Sequence, residues 1–153
     1  MRSNRLTRFS LTQAGIAVIC CLPVVAGPQS SPTDYVDPTI GGVAAFLRPT
    51  YPNVHQPNQM LRTYPIKADY IADQITSFPL QIMQHRGYGI LQMRVSVGEI
   101  TSESWIRRMA IDHDLQIVKP WFYQSYLVED DITVHLAPGK KAAIYRLDFP
   151  DSK

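Results

Sequence analysis

The sequence predicts a mainly all-β, antiparallel fold with one or two short helices. Three observations carry that expectation. Apolar residues recur at every second position over several short runs, as in strands that bury one face. Clusters of Gly, Pro and Asp separate the runs and supply turns. No apolar stripe of helical period runs far enough to found a bundle, and no internal repeat or low-complexity block appears.

The first 26 residues read as an export signal. Arg2, Arg5 and Arg8 form a basic start, Ala14 to Ala26 an apolar stretch, and Val24-Val25-Ala26 before Gly27 a small-residue cleavage site. As a helix this stretch of about 13 apolar residues falls short of the ~20 needed to cross a bilayer, so no stable membrane span is expected. The destination is then periplasmic or extracellular. Acylation of Cys20 or Cys21 is the lesser alternative, because Ile19 suits a lipoprotein signal poorly. Residues 27–33 form a polar linker, and ordered structure is expected over 34–153.

From Asp34 to Pro65 the chain is punctuated by prolines at 38, 49, 52, 57 and 65. They fix φ and remove donors every few residues, which forbids a long helix or a central strand and predicts an extended, ordered loop. Tyr51, His55, Asn58, Gln59, Arg62 and Tyr64 lie along it. That polar and aromatic set suits recognition of a polyhydroxylated ligand. It suits equally a loop fixed by its own side-chain hydrogen bonds, and both readings stay open.

Beyond the loop, Asp69 to Thr76 has apolar residues at 70, 71 and 75 and predicts a short helix; Ser102 to Met109, with Ser102 as cap, predicts another. Phe78, Leu80 and Ile82 alternate with polar neighbours or Pro79, and Leu91, Met93, Val95 and Val97 do the same, so each run is expected to bury that face. Trp121 to Val128 is apolar on both faces and reads as a strand covered on both sides, with Trp121 and Tyr123 in the core. Ile132, Val134 and Leu136 make the next strand and Ala142 to Phe149 the last. Turns at Glu129-Asp130-Asp131 and Ala137-Pro138-Gly139-Lys140 join the three into an antiparallel meander.

Charge excludes a nucleic-acid partner. The chain carries 15 basic and 13 acidic residues, but the basic excess is Arg2, Arg5 and Arg8, and no acid occurs in Met1 to Ala26. Both cysteines lie in the signal, so the exported chain is expected to contain no disulfide. Metal chemistry has no signature either. His55, His85, His113 and His135 are widely spaced, and Asp112 with Asp114 falls far short of the six to eight oxygens that calcium takes. Among the acids, Asp34 and Asp37, Asp69 and Asp73, Glu99 and Glu103, and the Glu129-Asp130-Asp131 turn read as solvated carboxylates, and none is named as a catalytic pair. No nucleophile elbow or phosphate loop occurs.

Val36 to Gly41 (Val-Asp-Pro-Thr-Ile-Gly), Thr50-Tyr-Pro52 and Pro57 to Leu61 (Pro-Asn-Gln-Met-Leu) resemble the start of the mature region in family 92 of the glycoside hydrolases, calcium-dependent exo-acting α-mannosidases. Phe78-Pro-Leu80, His85-Arg-Gly87, Asp112-His113 and Pro120-Trp-Phe-Tyr123 follow in the expected order, although Gln116 stands where that family carries an acid. The resemblance implies an N-terminal β-sandwich that packs on an (α/α)₆ barrel, the barrel supplying acid, base and calcium ligands. It implies further that this chain holds about the first half of the sandwich, as a truncated product or fragment. On that reading the fold is an incomplete antiparallel β-sandwich, a scaffold and carbohydrate-binding portion that is not hydrolytic alone. Calcium belongs to the longer enzyme only. Tyr51, His55, Asn58 and Gln59 become the candidate contacts for a mannose-containing glycan. Two other readings stay open: a free-standing secreted carbohydrate-binding module, and an interaction fragment that assembles with a separately encoded catalytic part.

Overall fold

The structure, a computed structural model, describes residues 30–44, 46, 49, 54–83 and 89–151. The expected signal, Tyr51 and the His85-Arg-Gly run lie outside the described residues. A 3₁₀ turn at Pro32–Tyr35 opens the described chain, with Ser31 as its cap and Asp34 reaching back to the Ser31 amide. Seven strands and one helix follow: β1 Gln74–Ile75, β2 Phe78–Ile82, β3 Gly89–Met93, α1 Ser102–Ile106, β4 Met109–Lys119, β5 Phe122–Leu127, β6 Ile132–Pro138 and β7 Ala143–Asp148. The fold is all-β, with every strand pair antiparallel.

Five strands make one sheet in the order β1-β4-β5-β6-β7, and β2 and β3 make a separate hairpin. The meander expected over 121–149 is present as β5-β6-β7. Its register shows why alternation works: Tyr123 pairs with Leu136 and Leu136 with Tyr145, while Ser125 pairs with Val134 and Val134 with Leu147. Each rung therefore adds side chains to one face. Ile75, Met109, Ile111, Leu127 and Ile132 extend that face across the sheet. Burying such a residue fully contributes about 1.5–3 kcal/mol relative to leaving it exposed.

The hairpin closes over this face. Phe78 of β2 meets Tyr145 of β7 edge to face, with ring centroids 6.2 Å apart, and the Tyr145 hydroxyl donates to the Pro79 carbonyl at 2.8 Å. Tyr64 from the proline-rich segment packs against Tyr123 at 5.2 Å in the same manner. Both tyrosine rings are fully buried.

Several expectations are corrected. No helix forms over Asp69–Thr76. Asp69 Oδ1 accepts the Ala72 amide, a local bond that competes with helical ones, and Gln74 and Ile75 pair with Ala110 and Met109. The second helix is real but shorter, and its cap is Thr101, whose hydroxyl accepts the Ser104 amide. Met109 instead begins β4, the longest strand, which the sequence did not announce. The strand expected over 91–97 is Gly89–Met93. Leu91 sits at φ 51° and is 71% exposed, so that face is not buried throughout. Leu80 is exposed too, whereas Phe78 and Ile82 are buried. β5 is covered on one face only, alternating half-buried Phe122, Gln124 and Tyr126 with buried Tyr123, Ser125 and Leu127. Trp121 stands in the turn before β5, 36% exposed, and is not core.

Candidate functional site

One bridge closes the proline-rich loop on itself, and a second, just past its end, fastens the chain that leaves it. Val54 pairs with Thr63 and Ile66 with Ser77, and Val54 and Thr63 are both fully buried. Thr63 Oγ1 also donates to the Pro79 carbonyl at 2.6 Å. The far side is tied by the Met60 amide, which donates to the Lys140 carbonyl at 2.8 Å in the β6–β7 turn. Between these anchors Pro57 and Asn58 form a turn, and Asn58 adopts φ 59°, a left-handed conformation that Asn tolerates better than most residues.

The three candidate residues that can be placed differ in what they have left to offer. Gln59 is buried, and its amide is committed at both ends: Oε1 accepts the Gln56 amide at 2.7 Å and Nε2 donates to the Leu61 carbonyl. It closes the loop. Asn58 stands exposed at the tip, with an amide able to donate twice and accept twice. His55 is half-buried, and its Nδ1 is buried without a hydrogen-bond partner. The side chain of Asn58 is thus a polar group that the loop leaves open to a ligand, whereas His55 Nδ1 is closed off from solvent. Tyr51 lies outside the described residues.

A second polar cluster gathers where β4 breaks register. Asp112 pairs with Tyr126 but Ile117 with Gln124, so residues 113–116 bulge out of the ladder. Of the Asp112-His113 motif, His113 lies in the bulge and Asp112 is the last paired residue before it. His113 Nδ1 lies 3.3 Å from Gln116 Oε1, and Gln116 Nε2 donates to the Tyr123 hydroxyl at 2.9 Å. The Tyr70 ring meets His113 edge to face at 6.2 Å, and the Lys67 ammonium lies 5.3 Å from the Tyr70 ring centroid. Burial pulls the Lys67 amine down to about 8, against the opposing pull of Asp69 and Asp73. The Tyr123 hydroxyl is pushed up to about 12 by burial. Lys67 and Tyr70 escaped the sequence reading, since a lone lysine beside Ile66 gives no signal until the fold buries it. Gln116, standing where the resemblance calls for an acid, leaves this cluster without a carboxylate at that position.

The arrangement offers hydrogen bonds and ring faces. Two hydrogen bonds from Thr39 hold Asp37 below the usual carboxylate range, and Arg146, with a smaller contribution from His135, does the same to Asp148. Both are stabilised as anions, the reverse of what a general acid requires. Among the described residues no three His, Cys, Asp or Glu side chains gather to hold a metal ion.

A family model described as the glycosyl hydrolase family 92 N-terminal domain matches residues 35–153. Among solved structures the chain is similar to the family GH92 inverting mannosidase BT2199 of Bacteroides thetaiotaomicron, with a TM-score of 0.65 and 20% sequence identity. That likeness is one of fold. It covers 81% of this chain and 19% of the mannosidase, so the chain spans about a fifth of the length of the structure it matches. A search of curated proteins gives no match.

Proposed function

Because the chain belongs to the family of glycosyl hydrolase family 92 N-terminal domains, we propose that it is the scaffold portion of an exported α-mannosidase-like glycoside hydrolase, walling one side of a site for mannose-containing glycans. On this reading hydrolysis depends on a catalytic (α/α)₆ barrel, and the N-terminal portion by itself is inactive. The observation that carries this reading is the extent of the family match, which takes in the proline-rich loop, the hairpin and the whole five-stranded sheet. Support also comes from the loop itself. It is bonded to the β6–β7 turn at Met60 and to the hairpin at Thr63 and held internally by Gln59, while Asn58 stays exposed at its tip. A rigid loop that presents an uncommitted amide loses little freedom when it binds a sugar hydroxyl. Tyr51, His55, Asn58 and Gln59 are the proposed glycan-facing set, with Asn58 in contact and Gln59 supporting it.

The test is a two-dimensional amide NMR spectrum of the chain with increasing α-mannobiose, beside an assay on an aryl α-mannoside. Saturable shifts at residues 54–62, lost in Asn58→Ala, and no hydrolysis are the expected outcome. Absence of any shift from the folded chain would remove the loop from sugar recognition. Turnover by the chain alone would overturn the requirement for a barrel.

A further inference from the structure

The β6–β7 turn sets two lysines beside the proline-rich loop. The Gly139 amide donates to the Ala142 carbonyl at 2.7 Å, which closes the turn with Lys140 and Lys141 as its two central residues, both exposed. The loop is bonded to this turn on either side of its tip. Gln56 Nε2 donates to the Pro138 carbonyl at 3.5 Å and the Met60 amide to the Lys140 carbonyl at 2.8 Å, so the exposed Pro57-Asn58 tip and the lysine pair are brought to one surface.

The fold does not account for either lysine. Tight turns favour Gly, Asn and Asp, and among the described residues neither lysine makes an ion pair, whereas Arg107 and Arg146 are each bonded to acids. The distribution of charge along the chain sharpens this. No acid occurs at 38–68 or 132–147, the stretches that supply the loop and the turn. The acids of the meander gather instead at Glu129-Asp130-Asp131, in the β5–β6 turn, which an antiparallel meander places at the opposite end of its strands. Asp148 lies at that same far end, paired with Thr133. Two exposed ammonium groups without a partner act as point charges, the way lysine holds a phosphate. We propose that the glycan met by the loop is anionic, a mannose residue esterified with phosphate or sulfate, with the Asn58 amide bonding a sugar hydroxyl and Lys140 and Lys141 holding the ester oxygens. This rests on the loop being glycan-facing and names the chemical class of its ligand.

Titration of the full chain with mannose 6-phosphate, mannose 6-sulfate and mannose at low salt, read by amide shifts at residues 54–62 and 139–142, tests this. Affinity for at least one ester is expected to exceed that for mannose about fivefold to tenfold, the scale of one or two exposed charge contacts. The ester with the larger advantage identifies the substituent. The advantage should shrink in about 0.5 M NaCl, where exposed charges are screened. It should disappear in the double variant Lys140→Gln/Lys141→Gln and survive in Lys140→Arg/Lys141→Arg. Both variants retain the main-chain carbonyl at position 140 that anchors Met60. The proposal is overturned by equal affinity for mannose and both esters, by an advantage that persists in the glutamine variant, or by inorganic phosphate binding as tightly as the phosphate ester, which would leave an anion contact without a sugar. Failure of the loop as a glycan site shows differently, as the absence of shifts with neutral α-mannobiose, so the two failures are separate results.

Discussion

Lys67 shows how a single buried charge shapes stability. Its amine titrates near 8 in the folded chain against an ordinary 10.5, so between those values the unfolded chain binds more protons and stability rises with pH. Tyr123 and Tyr145 act in the opposite sense. Burial pushes both hydroxyls up to about 12, so above pH ~10 the unfolded chain loses protons that the folded chain keeps, and stability falls. Urea midpoints are therefore expected to rise from pH 7 to pH 9 and to drop by pH 11. In Lys67→Met the rise should vanish while the drop remains. A wild-type midpoint that stays flat from pH 7 to 9 would show that Lys67 is not desolvated in solution. At the same scale, Leu136→Ala empties a fully buried position paired with Tyr123 and Tyr145 and is expected to cost about 2–5 kcal/mol by chemical denaturation.

Between elements, one ion-pair cluster fastens α1 to the β5–β6 turn. Arg107, at the end of α1, bonds Asp130 at 2.6 Å and Glu129 at 3.0 Å. The two acids are not equivalent. Asp130's side chain is 7% exposed and also accepts the Val97 amide, whereas Glu129's is 51% exposed. A screened pair is worth about 0–1 kcal/mol, while removing one partner of a desolvated, hydrogen-bonded pair costs more. Asp130→Ala should therefore lower the urea midpoint clearly and Glu129→Ala hardly at all; equal losses would sink this ranking. The same comparison explains why the acidic run at 129–131 reads from sequence as a turn and nothing else. Its turn chemistry is local, but the selection of Asp130 as the buried member depends on residues more than twenty positions away.

For the molecule as a whole, the distribution of apolar surface matters most. β7 ends the five-stranded sheet, and Ile144 on it is 70% exposed, with Phe149 exposed just beyond. Among the described residues this edge pairs with no further strand, and an unpaired edge with apolar side chains is a site for association. Arg146, bonded to Asp148 at 2.8 Å, places charge along the same strand and blunts it. Light scattering is expected to show concentration-dependent association of the wild type that Ile144→Lys reduces, with its urea stability within about 0.5 kcal/mol of wild type. Unchanged scattering in the variant would place the association elsewhere.

The meander over β5, β6 and β7 was legible in the sequence because its side-chain period is two and its turns carry their own chemistry. In the described part of the proline-rich loop the lack of a long helix or central strand was legible because proline restricts the backbone wherever it stands. Family membership was legible in short motifs from Val36 to Tyr123. What the fold alone decided are the features set by distant partners. β4 took a stretch with no clean alternation because β1 and β5 flank it and a bulge absorbs its irregularity. Asp69 to Thr76 gave up a helix for pairing with Ala110 and Met109. Of the candidate loop, the sequence supplied the polar residues. Only packing determined that Gln59 closes the loop while Asn58 stays exposed, and that Lys67 is a cation taken out of water. Local sequence sets backbone preference and face periodicity, whereas burial and hydrogen-bond commitment belong to contacts that exist only once the chain has folded.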